Sequence, residues 1–98
     1  MTCSIIIATY NRARDLADTL ASLARLDYAD SWEVVVVDNN STDDTRAVVG
    51  QAQTAFPVPL IYGFEREQGR SAALNHGLTL THGAIIVTTD DDVRVEPD

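Results

Sequence analysis

The sequence predicts an α/β fold: an open parallel sheet of about four strands, built from a βαβαβαβ chain. Three observations carry that expectation. Short β-branched runs alternate with stretches whose apolar residues recur at helical spacing. The second run, EVVVV from Glu33 to Val37, is apolar on both faces, as a strand covered by helices on each side must be. The connections are short, which favours right-handed crossovers between parallel neighbours.

The elements follow in order. CSIIIA, Cys3 to Ala8, is the first strand. Asn11 is placed to cap the next helix. There Leu16, Leu20 and Leu23, with Ala13, Ala17 and Ala24, recur through RARDLADTLASLARL. After the second strand, DNNSTDDT makes a turn and opens a helix. Ser41 followed by Asp44 has the shape of a capping box, and Asp43 and Asp44 suit the positive end of the helix. That helix runs to about Thr54. Pro57 and Pro59 bracket a loop into a third strand, about Leu60 to Phe64. Gly69 feeds a third helix, RSAALNHGLTLTH, for which Gly83 fits the C-terminal cap. Ala84 to Thr89 is the fourth strand, and Asp90, Asp91 and Asp92 follow it.

Composition narrows the function. The chain has 98 residues, enough for one small domain, and 45% of them are apolar. A net charge of −8 argues against a basic face for nucleic acid. All seven bases are arginine, which excludes a Walker A lysine and Schiff-base chemistry. Cys3 is alone and reads as a buried, inert thiol. No metal-finger spacing occurs. No apolar run approaches a membrane span, and the N-terminus lacks a basic leader, so a cytoplasmic location is expected.

The polar clusters all sit just after strands: TYNR, DNNSTDD, EREQGR and DDD. Open α/β sheets bind ligands beyond the carboxyl ends of their strands, where the strand order reverses. An order 3-2-1-4 would put that crevice between strands one and four, with Thr9, Tyr10 and Asn11 facing Asp90 to Asp92. Three adjacent carboxylates are costly by themselves. Two of them about 4 Å apart repel by roughly 4 kcal/mol at an effective dielectric of 20. A ligand that turns this repulsion into attraction would explain them.

CSIIIATYNR, EVVVVDNNSTDDT, GRSAALNHGL and GAIIVTTDDDVRVEPD stand in this order. Together they resemble the nucleotide-binding half of an inverting glycosyltransferase of family 2, with the GT-A fold, over residues 3–98. The resemblance implies a Rossmann-like donor-binding half. In it Asp90 and Asp92 match the metal-binding DxD carboxylates, and Asp90 and Asp91 also serve the donor. It implies Mn²⁺ or Mg²⁺ as cofactor. It further implies a nucleoside-diphosphate sugar as ligand, a UDP-sugar by default, with deoxythymidine or guanosine nucleotides as the other choices. Thr9 and Asp38 match positions that hold base and ribose; Tyr10, Asn11 and Asn39 lie beside them. Relatives often carry Asp-Asp where this chain has Asp38-Asn39, and an amide pairs differently with a base. Arg70 matches a position near base or diphosphate, and a guanidinium suits phosphate. The general base is implied beyond residue 98, so residues 1–98 are expected to be a donor-side fragment, inactive alone. Such a fragment would expose the edge of its fourth strand and self-associate there.

Plainer readings stand beside these. Asp38 and Asn39 also suit turn and capping chemistry. Arg70 also reads as an exposed arginine, and Glu65 and Arg66 as an exposed pair. Tyr10 either packs under a base or closes the core. His76 and His82 read as surface or capping residues, and Asn75 as a helix-packing or loop-bracing residue. Two other classes compete for the whole chain. A dinucleotide-binding domain would need glycines where ATYNRARD stands. A non-catalytic nucleotide-binding or receiver-like regulatory module would share the acidic cluster, but a receiver also uses a lysine.

Overall fold

The computed structural model describes residues 2–26 and 31–89. Its elements are β1 (Cys3–Thr9), α1 (Ala13–Ala24), β2 (Trp32–Asp38), α2 (Thr45–Gln53), β3 (Leu60–Phe64), α3 (Arg70–Leu80) and β4 (Ile85–Thr89). The strands lie within one residue of their expected bounds, α1 and α3 end two residues early, and α2 starts at Thr45 and not directly after Ser41.

The four strands form one parallel sheet, as expected, and its order is β3-β2-β1-β4, the one that puts β1 beside β4. Thr9 pairs with Asp38, Asp38 with Phe64, and Ile7 with Thr89. The carboxyl ends of all four strands therefore reach one edge.

Alternation along the strands divides the core in two. Ile7, Val34 and Val36 face one way and pack with Leu16, Leu20 and Leu23 of α1 and Val49 of α2. Ile6, Val35 and Val37 face the other way and pack on Ala73 of α3. All seven residues of β2 are buried, which the double covering requires. Each fully buried valine or isoleucine contributes about 1.5–3 kcal/mol of transfer free energy. The connection from β3 to β4 crosses the sheet in the opposite direction to the two before it, so a right-handed crossover puts α3 on the opposite face from α1 and α2. Trp32 closes the lower end of the first core, edge-on to Phe56 with ring centroids 6.3 Å apart.

Helix α3 approaches the sheet closely because it presents small residues. A Cβ on Gly77 would stand 2.8 Å from Ile6 Cγ2. Gly83 differs from its expected role. Thr81, in extended conformation, ends α3, and Gly83 has no left-handed φ. A Cβ there would meet the Ser4 backbone nitrogen at 2.7 Å, so the glycine serves the close passage of the chain past β1. Its N–H donates to Ser4 Oγ at 2.8 Å.

Two further expectations change. Cys3 is half-buried rather than buried, at the margin of the first core. At β4, Ile85, Ile86 and Val87 are exposed, because the strand lies at the edge of the sheet and no described helix covers it. No helix among the described residues is long and apolar enough to cross a membrane.

Candidate functional site

The polar loops after β1, β2 and β3 are tied into one rim. Their backbones continue the sheet: Asn39 N–H donates to the Thr9 carbonyl and Glu65 N–H to the Asp38 carbonyl, both at 2.8 Å. This brings Thr9, Asp38 and Asn39 side by side at the sheet's end, all buried.

Asn11 does not cap α1. Arg12 takes the cap position, and its side chain makes no capping bond. Asn11 adopts a left-handed φ of 50° and turns toward the β2–α2 loop. Its Oδ1 accepts from Thr42 N–H at 2.8 Å and Asp43 N–H at 3.3 Å, while its own N–H donates to Ser41 Oγ at 2.9 Å. The cap comes from across the rim, where Asp43 Oδ2 accepts from Ala13 N–H at 3.2 Å. The expected Ser41–Asp44 capping box is likewise absent: Asp44 makes no cap bond. Asp43 again replaces it, accepting from the Thr45 amide at 3.1 Å and from the Thr45 hydroxyl. The Thr45 hydroxyl above all, with these amides, holds the Asp43 carboxyl below its ordinary value. One carboxylate thus anchors the starts of two helices.

Asp38 is 2% exposed, yet both its oxygens are engaged. Oδ1 accepts from Ser41 N–H at 2.9 Å and Oδ2 from the Tyr62 hydroxyl at 2.6 Å. Asn39 points to the β3–α3 loop. Its Nδ2 donates to the carbonyls of Glu65 at 3.2 Å and Glu67 at 2.6 Å, and its Oδ1 accepts from Gly69 N–H at 2.9 Å. Gln68 Nε2 donates back to the Asn39 carbonyl at 2.7 Å. Gly69 has a φ of 127°, and Arg70 opens α3 directly after it, exposed at the rim.

Tyr10 is 49% exposed, so it does not close the core. Glu65 pairs with a histidine and not with Arg66: His76 Nδ1 lies 3.1 Å from its Oε1. The backbone N–H of Glu67, and His76 after it, hold the Glu65 carboxyl below its ordinary value. Asp90, Asp91 and Asp92 lie outside the described residues, although β4 delivers the chain to this edge at Thr89. Among the described residues, no group of three or more His, Cys, Asp or Glu side chains could hold a metal ion.

Sequence reasoning placed DNNSTDD at this edge but gave Ser41, Thr42 and Asp43 no part in tying the loops together, and it missed Tyr62. For Tyr62 a signal existed. It shares a sheet face with Phe64, the register partner of Asp38, by the two-residue period of a strand.

Away from the rim, the opposite end of the sheet holds a buried acid. Glu33 is 1% exposed. It accepts from Ser4 Oγ at 2.6 Å and His82 N–H at 2.6 Å, with His82 Nδ1 at 2.9 Å. Burial pushes its carboxyl up, and these three partners together hold it below its ordinary value.

Comparison with known proteins gives a consistent result. The model of Glycosyl transferase family 2 matches residues 4–98. Glycosyltransferase AglE of Haloferax volcanii is 37% identical over 90 residues, which cover 91% of this chain and 30% of that protein. Mannosyltransferase PcManGT of Pyrobaculum calidifontis, solved in complex with GDP-Man and Mn²⁺, superposes with a TM-score of 0.88 at 37% identity. That match covers 94% of this chain and 28% of the mannosyltransferase. TarS 1–349 of S. aureus, solved in complex with UDP, superposes with a TM-score of 0.81 at 29% identity, covering 94% of this chain and 28% of TarS. The chain thus spans less than a third of the length of each of these proteins.

Proposed function

The chain belongs to glycosyl transferase family 2, and from that membership we propose that it forms the donor side of a metal-dependent, inverting glycosyltransferase. Its ligand is a nucleoside-diphosphate sugar. Asp38 and Thr9 serve the base and ribose, with Tyr10 and Asn11 beside them. Asn39 shapes the neighbouring loop, and Arg70 serves the diphosphate. Asp90 and Asp92 would hold the cation, with Asp91 beside the donor. The observation that carries this reading is the rim itself. It places a buried, doubly anchored carboxylate at the end of β2, beside Thr9 and next to the strand-order reversal where open α/β sheets bind ligands. The GDP-Man and Mn²⁺ of the Pyrobaculum mannosyltransferase support the ligand class and the cation.

The reaction is one in-line displacement. An acceptor hydroxyl attacks the anomeric carbon, and the bond to the diphosphate breaks with its electrons leaving on the diphosphate. The cation, when bound, neutralises that developing charge. Arg70, opening α3, adds a guanidinium and a helix N-terminus on the same side. The proton of the acceptor goes to a carboxylate base, typically worth 10²- to 10⁴-fold. This reading gives that role to none of this chain's acids, so sugar transfer by the chain alone would contradict it.

Calorimetric titration with UDP, dTDP, GDP and NAD, each with and without Mn²⁺, tests the proposal. A Mn²⁺-dependent response to a nucleoside diphosphate is expected, with UDP the default, and Asp92→Asn should remove the Mn²⁺ dependence. A response to NAD alone overturns the reading. The exposed apolar β4 edge further supports self-association. Sedimentation should show a dimer, and a monomer at high concentration would refute that part.

A further inference from the structure

We propose that Tyr62 is a positioning residue that fixes the Asp38 carboxylate for recognition of the nucleotide base, an inference that rests on the donor-site reading above. Phe64 is the register partner of Asp38, and Tyr62 lies two residues earlier on the same strand and face. Its phenol therefore reaches along the sheet to Asp38 Oδ2, where it donates at 2.6 Å. That length belongs to a charge-assisted O–H···O⁻ bond. Ser41 N–H holds the other oxygen at 2.9 Å. The terminal torsion of an aspartate is otherwise broad. Two donors, one on each oxygen, stop the carboxylate from turning.

What remains on Asp38 is acceptor capacity alone, since an ionised carboxylate has about four lone-pair sites and no proton. It therefore suits a base that presents an N–H, as the imide of uracil or thymine and the N1–H of guanine do. The ring of Tyr62 is itself held. It packs against the core beneath α1 and α2, and the Arg46 guanidinium lies 5.7 Å from its centroid. Burial first, and then the Asp38 carboxylate, push the phenol up, so it keeps its proton and stays a donor across the physiological range. Tyr62 thus acts through Asp38.

The test uses the 98-residue chain and Tyr62→Phe, which keeps the ring and its packing. Both are titrated in Mn²⁺ with inorganic pyrophosphate and with whichever of UDP, dTDP and GDP binds the wild type most tightly. The variant should lose about 5- to 20-fold in affinity for the nucleotide, less than the roughly 10- to 150-fold that a direct hydrogen bond to a charged group carries, because Tyr62 acts through Asp38. Its affinity for pyrophosphate should not change. A purely structural role would weaken both ligands alike, and that result, or no loss at all, overturns the inference. A second variant removes dependence on one substitution: in an Asp38→Ala background, which leaves the phenol no acceptor at that position, Tyr62→Phe should change nucleotide affinity by less than about 2-fold. A full loss there also overturns it. If the wild type binds no nucleoside diphosphate, the donor-site reading falls and takes this inference with it. If the wild type binds and the two ligands respond alike to Tyr62→Phe, only the inference falls.

Discussion

Asn11 accepts the amide proton of Thr42 at 2.8 Å, joining two loops that are 31 residues apart in the chain. The bond exists because Asn11 adopts a φ of 50°, a left-handed conformation that asparagine tolerates better than most residues. Two costs can therefore be separated by substitution. Asn11→Gly keeps the backbone and loses the side-chain bonds, and should destabilise by about 1 kcal/mol. Asn11→Ala loses the bonds and strains the backbone, and should cost about 2 kcal/mol. Urea denaturation of both variants checks the order. Alanine equal to or better than glycine would contradict it.

The buried acid at the other end of the sheet predicts acid sensitivity. The Glu33 carboxyl is held below its ordinary value of 4.5. Its charged form is favoured by folding, so its contribution is complete above about pH 4.5 and fades as pH falls through the lowered folded value. Glu33→Gln puts an amide nitrogen among the donors Ser4 Oγ and His82 N–H, and should cost about 2–3 kcal/mol at pH 7. The gap between wild type and variant should narrow below pH 4. A gap that widens there would mean that the sign is wrong.

Two glycines should respond oppositely to a methyl group. Gly50, within α2, has nothing within 4 Å of an added Cβ, so Gly50→Ala should stabilise by about 0.5–1 kcal/mol. At Gly83 the same atom would meet backbone of Ser4 at 2.7 Å and of Cys3 at 2.8 Å, and backbone cannot rotate away. Gly83→Ala should cost about 1–3 kcal/mol. Thermal melts of the two variants, run together, provide the check.

What the sequence disclosed and what it hid divide by the range of the interaction. The valine run of β2 and the leucine spacing of α1 are local patterns. They predicted the strands and the helices, whereas the order β3-β2-β1-β4 entered only as the topology that would open a crevice between strands one and four, and the structure has that order. Gly83 looked like a helix cap because caps are read from neighbours, while its real constraint is Ser4, 79 residues away along the chain. Asn11 and Asp43 misled for the same reason: each supports the other's loop and not only its own. Positions at the strand ends were legible as a site, but the partners that orient them, such as Tyr62 for Asp38, follow only from register.

Asn39 gives the sharpest case, because one atom decides it. Its Nδ2 donates to two backbone carbonyls, those of Glu65 and Glu67, and an aspartate has no proton to offer them. Asn39→Asp would set a carboxylate against two carbonyl oxygens and should cost about 2–4 kcal/mol at pH 7. Asn39→Ala leaves the same carbonyls without this donor but adds no charge, and should cost about 1–2 kcal/mol. The order of stability at pH 7 is therefore asparagine, alanine, aspartate. Near pH 3 an aspartate is largely protonated and can donate once, so the alanine and aspartate variants should converge. Denaturation at the two pH values measures this. An aspartate variant as stable as wild type at pH 7 would show that the amide does not shape the Glu65–Gly69 loop, and Arg70 would lose the support that this bracing gives it.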